Sequence, residues 1–207
     1  MGRNNGSVKR SAAQIIRSLY RDVDGVLLHG PAPDGRQIPY GRGLVYGELT
    51  TAGVTELARY LELSERDVFY DIGSGVGKLV LQLAITIGLK KCVGIEIAQE
   101  RYEASCSALE GARKLGLIRA RHCSFRHENA LVSDISDATV VYTCSTCFPA
   151  ATLYQLARKV AELPKRPPLI TLQPLHPRKP RGLELIDGIE LPTSWNPRQS
   201  AFVYRVG

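Results

Sequence analysis

The chain has 207 residues, of which 44% are apolar and 23% are charged. This makeup suits one soluble domain with a substantial core and excludes a second large domain. No apolar run is long enough to span a bilayer, and the first residues lack the apolar stretch of a secretory signal. We therefore expect an intracellular protein without a membrane segment.

The net charge and the cysteines indicate which partners and which cellular compartment to expect. A formal net charge of +7 favours acidic partners, because each phosphate that Lys or Arg neutralises releases condensed counterions. The five cysteines are odd in number and widely spread, which does not suggest a disulfide framework. We expect free thiols in a reducing compartment.

Residues 1–40 are predicted to form a basic N-terminal arm that ends in a Gly/Pro-rich break at 30–35. Residues 11–20 fit a short helix, which is either a solvated basic helix or one that docks on something. Residues 41–207 are then the predicted main folded domain.

From about residue 54 the apolar pattern predicts a strict alternation of helices and strands. The predicted order is helix 54–63, strand 68–72, helix 77–87, strand 92–95, helix 99–114, strands 121–125 and 138–142, helix 151–162 and strand 169–172. This order predicts an α/β fold with a mainly parallel, doubly wound sheet. Two further strands at 183–191 and 202–206, with no helix between them, fit an antiparallel edge pair.

A glycine-rich segment directly follows the first predicted strand and opens a helix. Gly73, Gly75 and Gly77 form a G-x-G-x-G pattern, with Asp71 two positions ahead. The spacing differs from the dinucleotide fingerprint G-x-G-x-x-G, which disfavours a nicotinamide dehydrogenase. S-adenosylmethionine (AdoMet) has no phosphate and carries an ammonium group, so an acidic residue suits it. Glu96 ends the next strand, where a carboxylate can accept both ribose hydroxyls. These features predict an AdoMet site.

With these residues the chain resembles the disruptor-of-telomeric-silencing (Dot-type) histone lysine methyltransferases, from about Tyr46 to Tyr204. Tyr46-Gly47-Glu48 resembles the family loop that closes over the methionine end of AdoMet. Residues 71–82 are close to the family signature, with Lys78 where a Gln is usual. The resemblance implies a Rossmann-like class I methyltransferase sheet. The cofactor contacts predicted on this basis are Tyr46, Glu48, Asp71, Gly73, Ser74, Gly75, Gly77, Lys78, Glu96, Asn129 and Cys144.

Ser194-Trp195, followed seven residues later by Phe202, resembles the aromatic pair that walls the family's lysine channel. Ordinary core packing is the alternative for Trp195. Phe148 keeps a further aromatic position of the family. We predict that Phe148, Trp195 and Phe202 form the channel, with Cys144 at the reacting centre.

The main departure from the family follows the fourth strand, where Asn-Asn-Phe-x-Phe is usual and residues 144–148 are Cys-Ser-Thr-Cys-Phe. Cys144 replaces an asparagine that in the family touches both cofactor and substrate. Asn129 stands where an Asp usually contacts the adenine amino group, and its amide oxygen could still accept that hydrogen bond. Cys144-x-x-Cys147 has a spacing seen in zinc and dithiol sites, but no second such pair exists, so we predict no metal. We expect a working but altered site.

The resemblance implies methylation of a lysine on a core histone, of the histone H3 type, in the nucleosome, and hence a nuclear protein. The arm and the basic, proline-stiffened segments 164–168 and 176–181 are either DNA contacts or solvated loops. Residues 143–149 lack the Asp/Asn-Pro-Pro-aromatic element typical of enzymes that methylate base amines. Three other hypotheses stay open: methylation of another protein lysine, methylation of RNA, and a catalytically silent AdoMet-binding chromatin module.

Overall fold

The computed structural model describes residues 10–23, 32–35, 47–175 and 180–207. Tyr46 and residues 176–179 of the second basic segment lie outside these ranges. Among the described helices, none is long and apolar enough to cross a membrane.

Helices and strands alternate through most of the described chain. The helices are α1 Ala12–Leu19, α2 Thr51–Tyr60, α3 Lys78–Thr86, α4 Gln99–Lys114 and α5 Ala150–Ala161. The strands are β1 Val68–Ile72, β2 Lys91–Glu96, β3 Cys123–His127, β4 Val140–Thr143, β5 Leu169–Thr171, β6 Leu183–Leu191 and β7 Gln199–Val206. A short 3-10 turn, Ser145–Cys147, follows β4.

The strands form one sheet in the order β3-β2-β1-β4-β5-β7-β6. The strands from β1 to β5 are parallel, whereas β7 runs antiparallel to β5 and β6 runs antiparallel to β7. The predicted doubly wound sheet with an antiparallel C-terminal pair is thus confirmed. The strand order reverses between β1 and β4, and ligands of such sheets bind beyond the carboxyl ends of the strands at this reversal.

Both faces of the sheet are covered, which explains why β1 is buried along its whole length. Phe69 points to a hydrophobic cluster that includes side chains of α1, α2, α3 and α4. Its neighbours Val68 and Tyr70 point to a second cluster, built largely from α5 and the opposite face of the sheet. Rigid packing on both faces fixes the strand ends and the loops that leave them.

Helix α1 docks on the domain, which decides between the two interpretations of residues 11–20. Ser11 and Gln14 form a capping box at its start. Ile16 and Tyr20 are buried in the cluster shared with α3 and α4, whereas Arg17 and Arg21 are exposed. The boundary at residue 40 stays a prediction.

Candidate active site

A cavity of about 520 Å³ lies at the carboxyl ends of β1, β2, β3 and β4. This volume is within the range of small-molecule pockets. Ten of the predicted site residues line the cavity: Glu48, Asp71, Gly73, Ser74, Gly75, Lys78, Glu96, Asn129, Cys144 and Phe148. Most of the predicted residues therefore lie together at this cavity, because parallel strands bring their carboxyl ends to one edge of the sheet.

The glycine loop after β1 is tied to the end of β2. The backbone N–H groups of Gly73 and Ser74 donate to the Ile95 carbonyl at 2.8 and 3.1 Å. The N–H of Gly75 donates to Oε2 of Glu96 at 2.7 Å. These bonds hold the loop open beside the cavity.

Two glycines of this loop are required for different reasons. Gly77 has a φ of +84°, and a Cβ there would lie 2.3 Å from the Phe125 ring. Gly77 does not line the cavity; it forms the N-cap of α3 and packs closely on Phe125. Gly73 has a φ of +74°, and a Cβ there would meet Phe148 at 3.0 Å. Larger residues are therefore excluded at both positions.

Asp71 is a buried carboxyl group that lines the cavity and has one oxygen atom without a hydrogen-bond partner. It is 3% exposed, and its Oδ1 atom has no hydrogen-bond partner. Burial, and secondarily the negative charge of Glu96, raises the pKa of Asp71 to about 8. A buried polar atom of this kind is costly unless a ligand satisfies it.

Other unpaired atoms cluster around Asp71. Among the described residues, four buried side-chain polar atoms have no partner: Asp71 Oδ1, Ser74 Oγ, Tyr142 OH and Thr143 Oγ1. The first three belong to residues that line the cavity. This concentration indicates a site built to bind a polar ligand.

Glu96 uses most of its acceptor capacity within the protein. Its Oε1 atom accepts the N–H groups of Ile97 and Ala98 at 2.9 and 2.8 Å, and Oε2 accepts that of Gly75. A carboxylate offers about four acceptor positions. One therefore remains in this conformation, fewer than the two ribose hydroxyls in our prediction would need.

The charge of the cavity favours a cationic ligand. Of the described residues, the carboxylates that line it are Glu48, Asp71, Glu96 and Glu128, and the cations are Lys78 and Arg101. Lys78 is paired with Glu48, with 2.6 Å between Nζ and Oε1. An excess of carboxylates repels a pyrophosphate but suits the ammonium and sulfonium of AdoMet.

Several residues that line the cavity were not predicted from the sequence. Ile97 follows β2 and Leu131 follows β3, so their position just past a strand end was an available signal. Asn129 lines the cavity between them, and its Oδ1 accepts the N–H of Leu131 at 3.0 Å. Arg101 is 6% exposed on α4, and no pattern in the sequence marked it.

The altered segment after β4 is well anchored. The Ser145 hydroxyl accepts the N–H groups of Leu172 and Gln173 at 3.2 and 3.0 Å. The side chain of Gln173 donates to the Thr146 carbonyl at 2.7 Å. The replacement of the family's asparagines therefore leaves an ordered turn.

Cys144 joins this turn to the loop before α2. Its thiol donates to the Gly47 carbonyl, with 3.3 Å between Sγ and O. Burial raises the pKa of Cys144 to about 12. The thiol is therefore protonated near neutral pH and does not serve as a base.

The loop before α2 is also held by the turn between β6 and β7. Ser194 donates its N–H to the Glu48 carbonyl at 2.8 Å, and Thr50 donates its N–H to the Pro192 carbonyl at 3.0 Å. Leu49 and Thr193 form an antiparallel bridge between them. A segment more than 140 residues away in the sequence thus fixes the loop that lines the cavity with Glu48 and Leu49.

Of the three predicted channel aromatics, Phe148 alone is among the residues that line the cavity. Trp195 is 44% exposed, which rules out ordinary core packing, and its ring lies against Gly47, where a Cβ would be 2.3 Å from Cζ3. Phe148 lines the cavity. Phe202 is half-buried on β7 and is not among the residues that line it. The channel stays a prediction.

Within the described ranges there is no group of three or more His, Cys, Asp or Glu side chains that could hold a metal ion. Cys144 and Cys147 both line the cavity.

A protein-family model described as "Histone methylation protein DOT1" matches residues 37–187. A relative from Drosophila melanogaster, named "Histone-lysine N-methyltransferase, H3 lysine-79 specific", is 32% identical over 127 residues, covering 58% of this chain and 7% of the relative. A "Protein-lysine N-methyltransferase" from Saccharolobus islandicus is 34% identical over 88 residues, covering 42% of this chain and 52% of the relative. The chain thus spans about a tenth or less of the first relative and about half of the second.

Solved structures share the fold. The magnesium protoporphyrin IX methyltransferase of Synechocystis, solved with bound S-adenosylmethionine, has a TM-score of 0.59 and 14% identity, covering 97% of this chain and 99% of that one. This likeness confirms the class I methyltransferase fold. Because the family model covers well over half of the sequence, the chain belongs to the family of the histone methylation protein DOT1.

Proposed function

We propose that this chain binds AdoMet in the cavity and transfers its methyl group to a lysine of histone H3 in the nucleosome, and hence acts in the nucleus. The observation that carries the proposal is the buried Asp71 carboxyl group beside the glycine loop, whose Oδ1 atom has no partner, in a cavity rich in acidic side chains. The family to which the chain belongs and the H3-specific name of its Drosophila relative support the substrate.

The residues present fit AdoMet along its length. Asp71 and Glu48, which line the cavity, would accept hydrogen bonds from the ammonium, and Lys78 would attract the carboxylate. The free acceptor position of Glu96 suits one ribose hydroxyl. Ile97, Leu131 and the amide of Asn129 suit the adenine ring and its amino group.

When bound, AdoMet supplies a methyl group activated by a positively charged sulfur. The chain must present a neutral lysine amine in line with that methyl group. A free lysine has a pKa of about 10.4, so roughly one molecule in a thousand is uncharged near neutral pH. Apolar walls formed by Phe148, Trp195 and Phe202 would lower this pKa, and their ring faces would attract the arriving cation.

AdoMet binding should depend on pH through Asp71. The free carboxyl has a pKa of about 8, so it is mostly protonated at pH 7. A cationic ligand favours the carboxylate, and its binding must therefore release a proton. Between pH 6 and 7 the affinity of the unaltered chain should rise by about tenfold relative to Asp71→Asn, and level off above pH 8.

Calorimetry in two buffers of different ionisation enthalpy measures this proton release. The ratio to Asp71→Asn removes the titration of the ligand's own amino group, because both proteins bind the same ligand. Parallel pH profiles of the two proteins, with no proton released, would show that Asp71 does not contact the ammonium.

DNA contacts would position the nucleosome. Arg17 on α1 and Arg21 just after it are exposed, as are Lys165 and Arg166 in the segment before β5. Changing all four to Gln should weaken binding to duplex DNA of any sequence and flatten its salt dependence, with a slope smaller by about 0.9 for each phosphate that the variant no longer neutralises. Fluorescence anisotropy across a salt series measures both effects.

The control is a variant with the same reduction of charge elsewhere on the surface. It carries Gln at four other exposed cations: Lys90, Lys114, Arg121 and Arg158. If both variants flatten the salt dependence equally, the effect comes from net charge and not from a DNA-binding surface.

Methylation of a lysine on another basic protein is the second candidate. The relative from Saccharolobus islandicus, whose name specifies a protein lysine but no histone, favours it. Labelled AdoMet offered with nucleosomes, free histones, unrelated basic proteins and RNA separates the possibilities. Label on unrelated basic proteins as fast as on histone H3 would favour this candidate. Label on RNA alone would exclude both protein-lysine candidates. AdoMet binding without label on any of these substrates would indicate a silent module.

A further inference from the structure

The glycine loop has a contact with the N-terminal helix that the function above does not use. The hydroxyl of Tyr20, at the end of α1, donates to the carbonyl of Val76 at 2.8 Å. Tyr20 is 6% exposed and Val76 is fully buried. The two residues are 56 positions apart in the sequence. Val76 lies between Gly75 and Gly77, so the bond reaches the middle of the loop.

The same tyrosine contacts a second part of the cavity wall. The ammonium of Lys78 lies over the Tyr20 ring, 5.5 Å from its centroid. Lys78 is in turn paired with Glu48 at 2.6 Å, and both residues line the cavity. Tyr20 does not line the cavity itself. It therefore supports two cavity-lining elements from behind.

Helix α1 is rigidly placed for such a role. Ile16, one turn before Tyr20, is also buried in the cluster shared with α3 and α4. The capping box of Ser11 and Gln14 fixes the start of the helix. Burial raises the pKa of Tyr20 well above its ordinary value, so the phenol remains a hydrogen-bond donor across the whole working range of pH.

We propose that Tyr20 is a positioning residue, which holds the glycine loop in its AdoMet-binding conformation and lets α1 set the cofactor affinity without touching the cofactor. The inference rests on the proposed AdoMet site. The loop must present the Gly73 and Gly75 backbone to the cavity at fixed positions, and without the hydroxyl the buried Val76 carbonyl would lack its donor. The loop would then relax towards conformations that satisfy this carbonyl and bind AdoMet less well.

The Tyr20→Phe variant tests this role because it removes one oxygen and keeps the ring beneath Lys78. The dissociation constant for AdoMet should rise about tenfold, with the KM for AdoMet rising in step, while kcat at saturating AdoMet stays within about twofold. Hydrogen exchange should show weaker protection at the amides of Gly75 and Gly77.

Two controls separate positioning from general stability. Tyr60→Phe removes a hydroxyl that donates to Asp187 at 2.8 Å; neither residue lines the cavity, so this variant should leave AdoMet affinity unchanged. Val160→Ala opens a small hole in the cluster on the other face of the sheet and should lower the unfolding temperature without weakening AdoMet binding. If Tyr20→Phe does not fold, Ile16→Val is the alternative variant. It weakens the packing of α1 on the core by a smaller amount and should raise the dissociation constant for AdoMet by about threefold.

The outcomes are distinct. Unchanged AdoMet affinity in folded Tyr20→Phe, or an equal decrease in Val160→Ala, would overturn the role of Tyr20 and leave the proposed function intact. Failure of the unaltered chain to bind AdoMet would overturn both.

Discussion

Replacing Trp195 by Ala should reduce methyl transfer by about a hundredfold or more, while the dissociation constant for AdoMet changes by less than about threefold. The indole lies against Gly47 on the outer side of the cavity wall and is not among the residues that line the cavity. Its removal would therefore spare the cofactor and take away an apolar wall that presents the lysine. Filter binding of labelled nucleosomes measures the rate, and calorimetry measures the affinity.

Tyr154→Ala is the matched control, since Tyr154 is a comparably exposed aromatic residue on α5, outside the cavity lining. It should leave both quantities unchanged. Equal decreases of transfer and AdoMet affinity in Trp195→Ala would mean that the tryptophan supports the loop before α2 and does not form a substrate channel.

Gly75→Arg should abolish AdoMet binding, with a dissociation constant raised at least about a hundredfold. Gly75 has a φ of +55° and lines the cavity, so any side chain there would occupy the ligand's space. Binding to immobilised AdoMet analogue and calorimetry both measure this effect.

Gly116→Arg tests whether the effect is only backbone strain. Gly116 has a φ of +64° but is exposed, with nothing within 4 Å of an added Cβ. This variant carries similar strain and should bind AdoMet normally. Folded Gly75→Arg protein that still bound AdoMet would show that the cavity is not the cofactor site.

The element order and the sheet were predictable because apolar periodicity is local. The ends of the helices and strands were harder to predict. Helix α2 begins at Thr51, three residues before the predicted start, because the Thr50 hydroxyl caps the Gly53 N–H. Strand β3 begins at Cys123, two residues later than predicted, because the N–H of Arg121 bonds to a carbonyl in the loop before β2.

Much of the cavity lining was predictable because its residues lie at strand ends, which the parallel order brings together. The loops around the cavity depend on contacts between distant segments. In the sequence Ser145 only marks the absence of a family asparagine, yet its hydroxyl accepts two N–H groups 27 and 28 residues away. Tyr20 lay in a predicted arm, because nothing local indicates its bond to Val76.

The most direct measurement is transfer of labelled methyl groups from AdoMet by the purified chain to intact nucleosomes and to the same histones free of DNA, with mass spectrometry of the products. We predict label on a lysine of histone H3, faster on nucleosomes than on free histones. AdoMet binding with no label on H3 in either form would contradict the proposed function.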